Sequence, residues 1–166
     1  MLHPFDKSPP ARNGRKPRTT LARTRPASRS AFWTRSLLGM LWALPLTVFG
    51  LALALPIWVW RGHLQLVRTP VMALLVRGPL ADAILSRHPF GAMSAMAVGH
   101  VVIAENHGLS ARVLMHELVH VRQAECWGPV FPFAYLLSSA WAALRGRDAY
   151  WHNRFEMAAR EAEKHV

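Results

Sequence analysis

A chain of 166 residues with 52% hydrophobic residues, 17% charged residues and a mean hydropathy of +0.13 has the length of one ordinary domain; it is too apolar for a disordered chain and too short for a multidomain assembly. The formal net charge is +11, but residues 1–36 carry nine Lys/Arg against one acid, a net of +8 that leaves +3 for the rest, so the basicity belongs to a tail. The single cysteine, Cys126, excludes an internal disulfide framework and any paired-cysteine zinc or redox motif.

Residues 1–36 are rich in Pro, Arg, Ser and Thr and show no apolar periodicity, which predicts a disordered basic arm. From Leu37 to Trp60 there is no charged residue in 24 positions, enough at 1.5 Å per residue to cross a hydrocarbon core of about 30 Å, so this segment is expected to be a transmembrane helix. Pro45 and Pro56 would kink it, and Trp42, Trp58 and Trp60 suit interfacial positions. A buried soluble helix is the competing reading of this run. The excess of Arg and Lys before the run favours a single pass with the N-terminus in the cytoplasm and residues 61–166 outside it, although Arg61 and Arg68 weaken the asymmetry. Ala52-Leu53-Ala54 would fit a signal-peptidase site, but the apolar run is longer than a signal peptide needs.

Beyond it, Leu64–Val76 contains short β-branched stretches broken by Pro70, and Gly78-Pro79 introduces a helix over Ala81–Ser86. Ala97–Ala104 reads as one strand bounded by a turn at Glu105–Gly108. Ser110 offers an N-cap for a helix over Ala111–Glu125, halted before Gly128-Pro129. A second charge-free run, Cys126–Leu144, is interrupted by prolines at its start and predicts a buried or membrane-surface helix rather than a second crossing. The last helix runs over Asn153–Lys164 with an apolar stripe of Phe155, Ala158, Ala159 and Ala162.

The chemistry lies in His116-Glu117-Leu118-Val119-His120. Histidines at i and i+4 share one helical face and can both turn a nitrogen to one metal ion, while the adjacent Glu117 can reach a metal-bound water as general base. Nine His and six Glu placed at random would give this pattern only about 0.02 times in such a chain. The bland alternative is a pair of surface histidines beside a local Glu117–Arg122 ion pair. A catalytic zinc needs a third protein ligand and an open position. Glu156, Glu161, Glu163, His152, Glu125 and His100 are the candidates. Glu156 is favoured for its place beside Phe155 and Ala159, against a capping-box role after Asn153; Glu161 and Glu163 read as solvated. Tyr135, Tyr150 and His152 are possible oxyanion donors, and Arg122 and Gln123 either support the motif or face solvent.

These residues resemble the gluzincin group of zinc metallopeptidases, with HExxH on one helix and a glutamate on a following one. The stretch from Gly99-His100-Val101-Val102 through Trp127-Gly128-Pro129 to Asn153-Arg154-Phe155-Glu156 is also similar to a group of small, uncharacterised bacterial proteins. The resemblance implies a helix-rich α+β, minimal zincin-like domain over residues 61–166, Zn2+ on His116, His120 and Glu156, Glu117 as catalytic base, and the Ala97–Ala104 strand as the edge that holds extended substrate. Many gluzincins place an acid four residues after the ligand glutamate; here that position is Arg160.

The expectation is a membrane-anchored zinc hydrolase acting on a peptide or protein, with membrane lipid as the other partner. The competing class is a non-enzymatic membrane protein with a structural or regulatory metal site and a basic arm that binds lipid or a partner. Phe5, Phe32 and Trp33 alone make a weak case for nucleic acid.

Overall fold

The computed structural model describes residues 37–88 and 91–164; the basic arm assigned to 1–36 lies outside them. Residues 37–42 are helical, and after Ala43 the chain continues as helix α1 (Leu44–Val59). There follow β1 (His63–Val67), β2 (Ala73–Arg77), α2 (Pro79–Ser86), β3 (Ala95–Val98), β4 (Val101–Ala104) and α3 (Ala111–Trp127). A 3-10 turn at Gly128–Val130, α4 (Phe131–Leu144) and α5 (Arg154–Glu163) complete the described fold, which is α+β.

The four strands form one mixed sheet in the order β1-β2-β4-β3, in which β2 and β4 are parallel and the other pairs antiparallel. Both faces of the two central strands are covered, which explains why they are apolar throughout except for Arg77 at the end of β2. Val76, Val101 and Ile103 pack with Ala54 and Ile57 of α1 and with Ala81 and Leu85 of α2. The alternate residues Ala73, Leu75, Val102 and Ala104 face Leu118 and Val121 of α3. The molecule is thus a three-layer sandwich, with α1 and α2 on one side of the sheet and the HExxH helix on the other.

Two expectations are corrected. The segment read as one strand over Ala97–Ala104 is part of a hairpin: Val98 pairs with Val101 across the two-residue turn Gly99-His100, and Gly99 adopts a φ of 58°. The edge strand is therefore β3, while β4 lies inside the sheet. The apolar run 37–60 is not one uninterrupted 24-residue span. Pro45 has no N–H to offer one turn back, and the regular helix α1 has 16 residues, although Ala43 N–H to Gly39 O (2.9 Å) and Thr47 N–H to Ala43 O (3.0 Å) carry the helical path through the break. No helix among the described residues is long and apolar enough to cross a membrane.

α1 is built into the domain along its length. Ala43 and Ile57 are fully buried, and a Cβ at Gly50 would stand 2.4 Å from the Val98 carbonyl oxygen. At Gly99 an added Cβ would meet the Thr47 backbone nitrogen at 2.4 Å. These glycines let helix and hairpin backbones touch, and the contact is fixed by Thr47, whose hydroxyl lies 2.9 Å from His100 Nδ1 and accepts the His100 N–H at 3.2 Å.

Candidate metal centre

α3 starts at Ser110, whose hydroxyl accepts the Val113 N–H (3.2 Å), and its apolar stripe of Leu118, Val121 and Ala124 is buried. That packing leaves His116 and His120 on the face toward α5. The chain reverses through the 3-10 turn and α4, and Asn153 caps α5 by accepting the Phe155 N–H at 2.9 Å. Asn153 is fully buried and also donates to Tyr135 O (3.0 Å) and Ser139 Oγ (2.7 Å), which ties the start of α5 to α4. Glu156, in the first turn of α5, thereby faces the two histidines.

The three side chains converge. His116 Nε2 is 3.2 Å from Glu156 Oε2, His120 Nε2 is 3.2 Å from Glu156 Oε1, and the two Nε2 atoms are 3.1 Å apart. The far side of each ring has its own acceptor: Glu163 Oε1 lies 2.6 Å from His116 Nδ1, and Gln123 Oε1 lies 2.8 Å from His120 Nδ1. Gln123 is oriented by donating its amide N–H to Phe155 O at 3.1 Å. These partners assign the ring protons to Nδ1, so in the neutral rings both Nε2 lone pairs point at each other and at a carboxylate. Glu156 Oε2 is buried without a hydrogen bond. Three lone-pair donors within 4.8 Å, one of them an orphaned carboxylate oxygen, repel one another unless a proton or a metal cation sits among them, and a His2Glu set is one that Zn2+ accepts.

The electrostatics follow from this crowding. Burial alone would raise Glu156, but the close approach of His116 and His120, the charge of His120 and the hydrogen bond from Tyr135 hold it well below the usual carboxylate range. Burial works against protonation of His116, yet its contacts with Glu156 and Glu163 and the charge of Glu117 outweigh this and raise its pKa. Glu117 is buried; its pKa is raised chiefly by that burial, with the charge of Glu156 adding, while His120, His116 and a backbone hydrogen bond at Ala97 of β3 oppose the shift. Tyr135 donates to Glu156 Oε1 at 2.8 Å, and both Tyr135 and Tyr150 have their phenols pushed up by burial and by the charge of that carboxylate.

Of the sequence candidates, His116, His120 and Glu156 are brought together, while Glu117, buried on the same helix as the histidines, is bonded at the Ala97 backbone. Glu156 makes no capping box, since the Asn153 N–H goes to Tyr150 O (3.1 Å). Glu163, read as solvated, instead holds His116. Glu161 is exposed and pairs with Lys164 at 2.5 Å. His100 and Glu125 form a separate buried pair at 3.3 Å, with Arg122 2.5 Å from the same carboxylate. His152 and Cys126 are exposed. Arg160 occupies the position where the gluzincin pattern has an acid: its Nη1 is 3.9 Å from Glu156 Oε2, its guanidinium lies 4.3 Å from the Trp151 ring centre, and it donates to Trp151 O. No family model, no curated protein and no solved structure matches the chain, so the site stands on its own geometry.

Proposed function

We propose that the chain is a zinc-dependent hydrolase held at a membrane, most simply a peptidase, with His116, His120 and Glu156 as zinc ligands and Glu117 as general base. The observation that carries this reading is the convergence of two Nε2 lone pairs and an orphaned carboxylate oxygen beside a buried, separately oriented glutamate.

Zinc bound by these three side chains would supply a Lewis acid that polarises a carbonyl and brings the pKa of a water toward neutrality. The chain's own residues supply the rest. Glu163 and Gln123 fix the two imidazoles in one tautomer, and Tyr135 fixes Glu156, so the donor set is preorganised. The Glu117 carboxylate, kept from solvent and bonded at the Ala97 backbone, would take a proton from the attacking water and return it to the leaving amine. β3 is an edge strand of the sheet, bonded to this carboxylate at Ala97, and a sheet edge suits an extended peptide. A gluzincin-like architecture fits all of these roles, and Glu163 supplies the histidine support that Arg160 cannot.

The test is zinc content by elemental analysis of purified full-length protein, wild type beside His116→Ala, Glu156→Ala and Glu161→Ala. About one zinc per chain in wild type and Glu161→Ala, with loss in the other two folded variants, is expected. A folded wild type that takes up no zinc on reconstitution would overturn the reading.

A further inference from the structure

α4 has its polarity reversed. A helix on a water-facing surface turns apolar residues inward and polar ones outward. Here Phe133, Leu136, Leu137, Trp141 and Leu144 recur at helical spacing on the outer face and are 55% to 81% exposed. The polar groups of the same helix point inward: Tyr135 to Glu156, Ser138 to the Arg154 N–H and Ser139 to Asn153. α1 shows the same one-sidedness, with its small residues against the sheet and Val48, Phe49, Leu55, Trp58 and Val59 exposed. The Trp42 ring, just before α1, lies against Gly128 in the 3-10 turn that leads into α4, so the two helices are joined at one end. Neither 37–60 nor 126–144 contains a charged side chain, whereas the 36 residues before Leu37 carry a net +8.

We propose that the outer faces of α1 and α4 form one docking surface that lies in the plane of an anionic bilayer, with the basic arm on its headgroups. This rests on the membrane-held part of the functional reading and replaces a crossing with in-plane seating. Crossing would surround α1 with lipid, but its inner face is occupied: Gly39 lies on Glu125, Thr47 is bonded to His100, Gly50 touches the Val98 carbonyl and Ile57 is fully buried. A lipid-surrounded α1 would drag the sheet, with Gln65 and Arg77, into hydrocarbon. A second copy of the chain could cover the same faces, but it would bring a second strongly basic arm beside the first. Anionic lipid satisfies both the apolar faces and the arm. Arg145, stacked 4.3 Å from the Trp141 ring centre at the end of α4, suits the headgroup level. Because Tyr135 on the inner face of α4 reaches Glu156, the metal centre would sit about one helix diameter, roughly 10 Å, above the bilayer, within reach of peptide bonds that emerge from it.

The test uses full-length protein mixed with vesicles of phosphatidylcholine alone or with phosphatidylglycerol. Flotation measures binding of wild type and Leu137→Glu. Depth is read in a Cys126→Ser background from fluorophores on single cysteines placed at Leu41, Val48, Leu55 and Leu137, quenched by nitroxide lipids. The proposal expects binding at least about tenfold stronger on anionic vesicles, loss of most binding in Leu137→Glu, and all four probes at a shared depth of about 5–10 Å below the headgroups. Depth that runs from one leaflet to the other along Leu41, Val48 and Leu55 would overturn it in favour of crossing. A dimer in solution that ignores vesicles would overturn it in favour of self-association. If Leu137→Glu misfolds by circular dichroism, the depth series alone decides. Zinc is assayed on the same samples: binding without zinc defeats the hydrolase reading and leaves the docking surface, and zinc without binding does the reverse.

Discussion

His116 Nδ1 and Glu163 Oε1 lie 2.6 Å apart, although Glu163 stands seven residues, two helical turns, beyond the ligand Glu156 on α5. Two turns bring a side chain back to nearly the same face, so α5 delivers a ligand with its first turn and a support for another ligand with its last. The intervening position on that face is Arg160, which turns to Trp151 and Tyr150.

Glu163→Ala is therefore expected to weaken zinc affinity by about 10- to 100-fold, because His116 loses the acceptor that fixes its tautomer and ring plane. Glu163→Gln, which keeps an acceptor without the charge, should fall between, and Glu161→Ala should match wild type. Competition with a chromophoric chelator measures all three. Equal affinity of Glu163→Ala and wild type would reduce the 2.6 Å contact to a surface ion pair.

Glu117→Gln separates metal binding from chemistry. The amide preserves the size and much of the hydrogen bonding of the buried side chain but cannot shuttle a proton, so hydrolysis of a mixed fluorogenic peptide library is expected to fall by about 100- to 10,000-fold. Zinc content should stay within about twofold of wild type, since the carboxylate is not among the ligands. Zinc loss in this variant would instead make Glu117 a ligand, and unchanged turnover would remove it from the reaction.

How far the sequence carried the site depends on the range of the signal. The HExxH pair is local: helical periodicity alone puts His116 and His120 on one face, and the apolar Leu118 and Val121 say which way the helix is buried. Glu156 was reachable through the apolar stripe of α5. Glu163 was not, because its own element reads as a polar helix end and its partner lies 47 residues away. The hairpin was missed for the opposite reason: Val98 and Val101 flank Gly99-His100 so symmetrically that the strand pattern runs straight through the turn. The 24-residue charge-free run gave hydrophobicity without its cause. Ala43, Gly50, Ala54 and Ile57 are apolar to pack on a sheet, while Val48, Phe49 and Leu55 are apolar toward the outside, and composition does not distinguish the two faces.

Gly99 tests whether α1 is integral to the fold. Both Gly99 (φ 58°) and Gly108 (φ 88°) hold positive φ, but an added Cβ meets Thr47 N at 2.4 Å at the first and nothing within 4 Å at the second. Gly108→Ala should cost only the backbone term, about 1 kcal/mol, whereas Gly99→Ala must also push helix and hairpin apart and should cost at least about 2 kcal/mol more. Denaturant unfolding in one mild detergent compares them. Equal losses would mean that the α1 contact contributes nothing to stability.

Glu125 ties the same interface to pH. Burial is the largest influence and would raise its pKa, but hydrogen bonds from His100 and Arg122, with their charges, outweigh it and leave the carboxyl below its ordinary 4.5. A carboxyl whose pKa is lower in the folded than in the unfolded chain contributes stability that is fully present above the unfolded value and is lost as pH falls through the folded one. Glu125→Gln removes the ionisable group but keeps the shape, so the stability gap between wild type and variant should be widest near pH 7 and should close progressively below about pH 4.5. Unfolding midpoints of the metal-free proteins, taken across that range, measure the gap without protonation of zinc-bound ligands entering it. Because His100 links Glu125 to Thr47 of α1, the carboxylate's pairing and the seating of the helix are expected to weaken together: a fluorophore on α1 should report increased exposure at neutral pH in Glu125→Gln, and in wild type only on acidification. A gap that stays constant with pH would show that the Glu125 pairing carries no net stability.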